Sequence, residues 1–137
     1  IKNYDQMITM DFKEINNLVL LIGKTEGHID QSLFARSILD KKNGPPPEIN
    51  LFNEKNNGET LLKLIDNDLV QSAHDVSIGG IITAVSKMCI KGNKGINLKK
   101  PKYLINENQL FIDEKTKVTI DELKTSNTNW LTNYMSN

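Results

Sequence analysis

One cysteine, Cys89, stands alone in 137 residues, so neither an internal disulfide nor a cysteine-rich metal site can form within the chain. One arginine, Arg36, stands beside sixteen lysines. Arginine dominates bidentate reading of phosphates and bases, and the seventeen basic residues are cancelled by seventeen acidic ones. No electrostatic footprint for nucleic acid or an anionic membrane follows. No apolar run approaches the 18 residues or more of a membrane span, and no secretory apolar segment is present. The simplest location is cytoplasmic. Aromatic residues make up only 6%. The length fits one domain spanning 1–137.

Patterning gives alternating elements. Phe12 and Ile15 are the anchors of a polar lead-in over residues 1–17. Leu18 to Ile22 is a short apolar run closed by Gly23, the pattern of a strand covered on both faces. A helix is expected over 31–39, with Leu33, Phe34 and Ile38 inward. Asn43-Gly44-Pro45-Pro46-Pro47 stops it. A second helix is expected over 58–68, carrying Leu61, Leu62, Leu64 and Ile65. Leu69 to Ala73 is a further short strand. Ile81, Ile82, Ala84, Val85, Met88 and Cys89 then form one helical stripe, which makes Cys89 a core residue rather than a nucleophile. Gly95–Leu98 and Gln109–Ile112 are candidate strands. Thr119 and Glu122 have capping-box spacing before a terminal helix lined by Leu123, Trp130, Leu131 and Tyr134. Strand and helix alternation implies an α/β class.

Two loops carry polar groups between a strand and a helix. The first is His74-Asp75-Val76-Ser77-Ile78-Gly79-Gly80. Ligands in open α/β sheets settle beyond the carboxyl ends of strands. Gly79 and Gly80 allow close approach, and amides at a helix start can face phosphate or carboxylate oxygens. His74 can hydrogen-bond or move a proton, Asp75 can orient it, and Ser77 can touch a phosphate. Equally, Asp75 and Ser77 can cap the helix and the glycines can serve a tight turn. The second loop runs from Gly23 to Ser32, with Thr25, Gln31 and Ser32 as candidates; Asp30 or Ser32 can instead be an N-cap. It is not a Walker A loop. His28 and His74 lie 46 positions apart without metal-site spacing, so no metal ligand set is assigned.

Three stretches in order carry a family resemblance: Leu21 to Phe34, Gly44 to Leu51, and Ala73-His74-Asp75-Val76-Ser77-Ile78-Gly79-Gly80. They resemble the bacterial phosphoribosylformylglycinamidine synthase family, synthetase subunit, in its C-terminal domain related to aminoimidazole ribonucleotide (AIR) synthase. Ile120 to Met135 resembles that family's final helix. The resemblance implies an α/β AIR-synthase-like domain, a mixed sheet with packed helices, here incomplete. It implies conversion of formylglycinamide ribonucleotide to the amidine, using ATP, Mg2+ and glutamine-derived ammonia: the amide oxygen is phosphorylated and ammonia displaces phosphate. Nucleotide and Mg2+ are then held mainly by preceding synthetase domains, with a glutaminase subunit and a small accessory subunit as partners. His74, Asp75, Ser77, Gly79 and Gly80, then Thr25, Gln31 and Ser32, frame the cleft, and no principal catalytic residue is assigned within the chain.

There are departures from the family pattern. Asp30 replaces a usual glycine, Ile78 replaces a usual aspartate, and residues 99–117 are a shortened region with no arginine. The isolated chain is therefore expected to be inactive. The competing readings are a degenerate structural or interaction fragment, or a domain of a related ATP-dependent enzyme such as AIR synthase or thiamine-monophosphate kinase.

Overall fold

The computed structural model describes residues 4–24, 27–98 and 118–135. A 3-10 turn, Tyr4–Gln6, precedes four helices: α1 (Leu33–Ser37), α2 (Leu51–Asp66), α3 (Gly80–Gly92) and α4 (Ile120–Met135).

The centre is α3. Its apolar stripe folds as the spacing predicts, with Ala84, Val85, Met88 and Cys89 buried. Ile82, at the stripe's edge, is exposed. Burial also pushes the Cys89 thiol pKa up, as expected for a core residue. The amino-terminal segment docks on this helix through backbone: the Phe12 N–H donates to the Met88 carbonyl at 3.4 Å. Gly92 makes that approach possible, because a Cβ there would lie 2.5 Å from the Phe12 carbonyl oxygen.

Helix α4 packs on α3, and Lys124 Nζ donates to Asn93 Oδ1 at 2.8 Å across the junction. The capping box forms: Glu122 N–H donates to Thr119 Oγ1 at 3.1 Å, and Thr119 N–H donates to Glu122 Oε2 at 2.7 Å. These bonds hold the Glu122 carboxyl below its usual pKa, the backbone N–H of Thr119 contributing most. The side chains of Trp130, Leu131 and Tyr134 lie outside those described.

The expected mixed sheet is not present among the described residues. They contain one isolated parallel bridge, Thr9 to Ser72, reinforced by Ala73 N–H donating to Thr9 O at 3.3 Å. Leu18 to Ile22 has no regular structure, and Leu18 is 89% exposed. A strand needs a hydrogen-bonded neighbour on at least one edge, which an apolar run cannot supply for itself. Leu69–Ala73 contributes only its Ser72 bridge, and Gly95–Leu98 forms no strand. Gln109–Ile112 lies outside the described residues.

Two helices also depart from expectation. Helix α1 is shorter than 31–39, and its buried residue is Ala35; Leu33, Phe34 and Ile38 are exposed. Helix α2 begins well before residue 58, because Asn50 accepts from Asn53 N–H at 3.0 Å and caps it directly after the proline tract. It buries no residue fully; Leu61, Leu64 and Ile65 are half-buried, whereas Leu62 is exposed. Phe12 is half-buried as an anchor, while Ile15 is exposed.

Candidate functional site

The loop from His74 to Gly80 joins the Thr9–Ser72 bridge to α3. The bridge fixes its start, and two left-handed glycines fix its end: Gly79 has φ 87° and Gly80 has φ 68°. Side chains other than glycine pay heavily there. Gly79 is constrained twice, since a Cβ would sit 2.1 Å from Thr83 Oγ1, which itself donates to the Gly79 carbonyl at 3.0 Å.

Gly79, not Ser77, occupies the N-cap position of α3, and it makes no side-chain cap. The reading of Ser77 as helix cap is thereby corrected. Its carbonyl accepts from Gly80 N–H at 3.0 Å, forming the turn that precedes the helix.

His74 and Asp75 meet although they are sequence neighbours. His74 Nδ1 lies 3.0 Å from Asp75 Oδ1. The two ends of this pair differ in environment: the His74 side chain is 9% exposed, that of Asp75 78%. The His74 hydrogen bond, then the Asp75 backbone and, less, Ser77, hold the Asp75 carboxyl below its usual range. His74 Nε2 is buried and has no hydrogen-bond partner. A cleft of about 460 Å³ is walled by Met10, Leu61, Ala73, His74 and Asp75. Met10 and Leu61 were not expected there. Leu61 showed only a core-stripe pattern, and nothing local marked Met10.

The second loop behaves differently. Ser32 Oγ accepts from Ala35 N–H at 3.0 Å and is the N-cap of α1. Gln31, at φ 61°, donates to the Gly44 carbonyl at 2.8 Å and accepts from Arg36 at 2.6 Å. Asp30 pairs with Lys41 at 2.5 Å and packs against Gly44, and His28 Nε2 meets the Pro45 carbonyl at 3.0 Å. These contacts clasp the loop to the start of the proline tract. Neither Gln31 nor Ser32 lines the cleft beside His74. Thr25 lies outside the described residues. Among the described residues, no group of three His, Cys, Asp or Glu side chains is placed to hold a metal ion, and no helix is long and apolar enough to cross a membrane.

Residues 14–131 match the family model described as "AIR synthase related protein, C-terminal domain". The chain belongs to this family. Within it, the chain is similar to the phosphoribosylformylglycinamidine synthase subunit PurL of Pelagibacter ubique, 55% identical across the whole chain and covering 25% of that relative. The corresponding subunit of Azorhizobium caulinodans is 34% identical over 72% of the chain and 13% of the relative. That of Caldanaerobacter subterraneus is 32% identical over 88% of the chain and 16% of the relative. The chain thus spans a quarter or less of the length of these AIR-synthase-related proteins. The Pelagibacter alignment extends over 180 residues while taking in all 137 of this chain, so at least 43 of its positions have no residue here. No solved structure gives a significant match.

Proposed function

We propose that this domain is part of the ATP-dependent synthetase that converts formylglycinamide ribonucleotide to the amidine in purine biosynthesis, a cytoplasmic ligase, and that it is inactive by itself. The observation that carries this reading is 55% identity across the entire chain to a subunit named for that reaction. The role of the chain's own residues is to wall a ligand cleft. His74 and Asp75 form its polar side, while Ser77, Gly79 and Gly80 set the turn that holds them. Gln31 and Ser32 take a supporting role, since their polar atoms are engaged in the clasp and the α1 cap. Thr25 belongs to the same loop.

ATP and Mg2+ are bound mainly by preceding domains. The partners are those domains, a glutaminase subunit and a small accessory subunit. Residues 1–17 lead in from the preceding domain, and 99–117 replace a longer segment, in keeping with the shortfall of at least 43 aligned positions. The mixed sheet of the family forms when Leu18–Ile22 and Leu69–Ala73 meet neighbouring strands.

A chimera tests this reading. The matched 180-residue stretch of the Pelagibacter subunit is exchanged for this chain, and ATP-dependent amidine formation is measured. Retained turnover supports the reading. Complete loss in a folded chimera favours a degenerate structural fragment, the alternative that the aligned shortfall and Ile78 support. Calorimetry of the isolated chain with ATP, Mg2+ and formylglycinamide ribonucleotide should show no tight binding. A low-micromolar Kd for either ligand would defeat the placement of the site mainly in other domains.

A further inference from the structure

We infer that Asn43 is a site of self-catalysed modification: its amide converts to a carboxylate through a cyclic imide with Gly44, whereas Asn57, which precedes Gly58 in the same way, is shielded by α2. This chemistry is independent of the reaction proposed above and bears on the clasp of the second loop.

Asn43-Gly44 and Asn57-Gly58 are the chain's two Asn-Gly dipeptides. In such a pair the glycine nitrogen, unhindered because its own Cα carries no side chain, attacks the asparagine Cγ. A bond from Gly44 N to Asn43 Cγ forms and the bond from Cγ to Nδ2 breaks. Nδ2 leaves as ammonia, taking the proton that Gly44 N gives up. Water, the co-reactant, then opens the imide. Addition at Cγ leaves aspartate. Addition at the main-chain carbonyl leaves isoaspartate, whose backbone runs through Cβ and Cγ.

The two sites meet opposite surroundings. Asn43 lies outside any helix and is exposed. Among the described residues, neither its side chain nor the Gly44 N–H has a hydrogen-bond partner. The clasp holds Gly44 by its carbonyl, through Gln31 at 2.8 Å, and leaves the nitrogen free. It also fixes the residue: at φ 147°, with a Cβ that would fall 2.6 Å from Asp30 Cγ, position 44 accepts only glycine. The least hindered attacking nitrogen is thus built into the turn. Asn57 and Gly58 lie inside α2, where an N–H is committed to the carbonyl four residues back and the helical ψ keeps the nitrogen from lining up with Cγ. Asn57 Nδ2 also packs against Gly23.

The product alters the clasp. A carboxylate at position 43 adds a like charge one residue from the glycine on which Asp30 packs, and it competes for Lys41, the partner of Asp30. Isoaspartate also inserts one backbone carbon ahead of the Gly44 and Pro45 carbonyls that Gln31 and His28 grip.

The full chain is incubated in mildly alkaline buffer, native and in urea, and each asparagine is followed by peptide mapping with mass spectrometry that resolves isoaspartate. Both sites should react in urea. Folding should slow Asn57 about tenfold or more, each 1.4 kcal/mol needed to open α2 being a factor of ten, and leave Asn43 within about threefold of its urea rate. Asn43→Gln, which would need a larger ring, should stay unmodified at that position, and the aged native chain should exchange faster in α1. Suppression of Asn43 by folding to the same extent as Asn57 overturns the assignment. So does an Asn57 that reacts as fast in the native chain as in urea. Modification of Asn43→Gln at the same rate rules out the imide route, and unchanged α1 exchange in the aged chain rules out the effect on the clasp.

Discussion

Two helical glycines should respond to the same substitution with opposite signs. Replacing glycine by alanine inside a helix gains about 1 kcal/mol of intrinsic propensity. At Gly58, in α2, nothing lies within 4 Å of the added Cβ, so that gain is realised. At Gly92, the last residue of α3, the added Cβ would fall 2.5 Å from the Phe12 carbonyl oxygen, 2.7 Å from its nitrogen and 3.0 Å from its Cα. These are backbone atoms, so no rotamer change relieves the overlap. Phe12 must withdraw, which weakens its bond to the Met88 carbonyl as well. Overpacking costs about 1–3 kcal/mol and a lost hydrogen bond about 1 kcal/mol. The propensity gain offsets only the smallest of these, leaving Gly92→Ala destabilising by about 1–3 kcal/mol. Hydrogen exchange read by mass spectrometry resolves each helix separately. Gly58→Ala should slow exchange in α2 about fivefold, and Gly92→Ala should speed it in α3 about fivefold or more. If Gly92→Ala slowed exchange in α3, the docking of the amino-terminal segment on that helix would be wrong.

Thr119→Ala should cost α4 about 1 kcal/mol through loss of its cap, visible as exchange confined to the first turn of that helix. The Glu122 carboxyl has a lower pKa in the folded state than the usual 4.5, so its contribution is present well above pH 4.5 and is lost as pH falls through the lowered value. Helicity of α4 should fall on acidification over that window, and Glu122→Gln, which can still cap, should flatten the dependence. Met88→Ala should be more damaging than either, costing about 2–5 kcal/mol in α3 protection, because Met88 is buried on the core stripe of that helix. Ser32→Ala should melt the five-residue α1, whose cap bond to Ala35 is then lost; unchanged α1 exchange would show the cap to be dispensable.

Short-range signals proved the most legible. The stripe from Ile81 to Cys89 located the core helix, and Thr119 with Glu122 located the start of α4. Both depend on residues three or four apart, and a helix satisfies such spacing internally. The start of α2 was missed because its first two turns are mostly polar, although Asn50 carried a cap signal. For α1 the pattern pointed to the large apolar residues, whereas the structure buries the small Ala35. At the site, the His74–Gly80 loop was visible from composition, but whether adjacent His and Asp side chains meet depends on rotamers that sequence does not encode. Gln31 and Ser32 were readable as polar groups at a helix start. Their engagement with Gly44, Arg36 and Ala35 depended on where the proline tract folds back.

The sheet separates the two kinds of information. Leu18 to Ile22 has a strand's composition and has no ladder partner among the described residues. Its five side chains range from 38% to 89% exposed. Burying five such side chains is worth on the order of 10 kcal/mol, comparable to the whole stability of a typical domain. A segment with that much unmet driving force is specified for an environment, and the same composition marks a pairing hazard when the environment is missing. The helices of this chain form from contacts made within themselves or with α3, which is why pattern and structure agree there. A strand at Leu18–Ile22 would require hydrogen bonds from outside its own segment, and there the sequence describes the burial that the segment needs without supplying the surface that provides it.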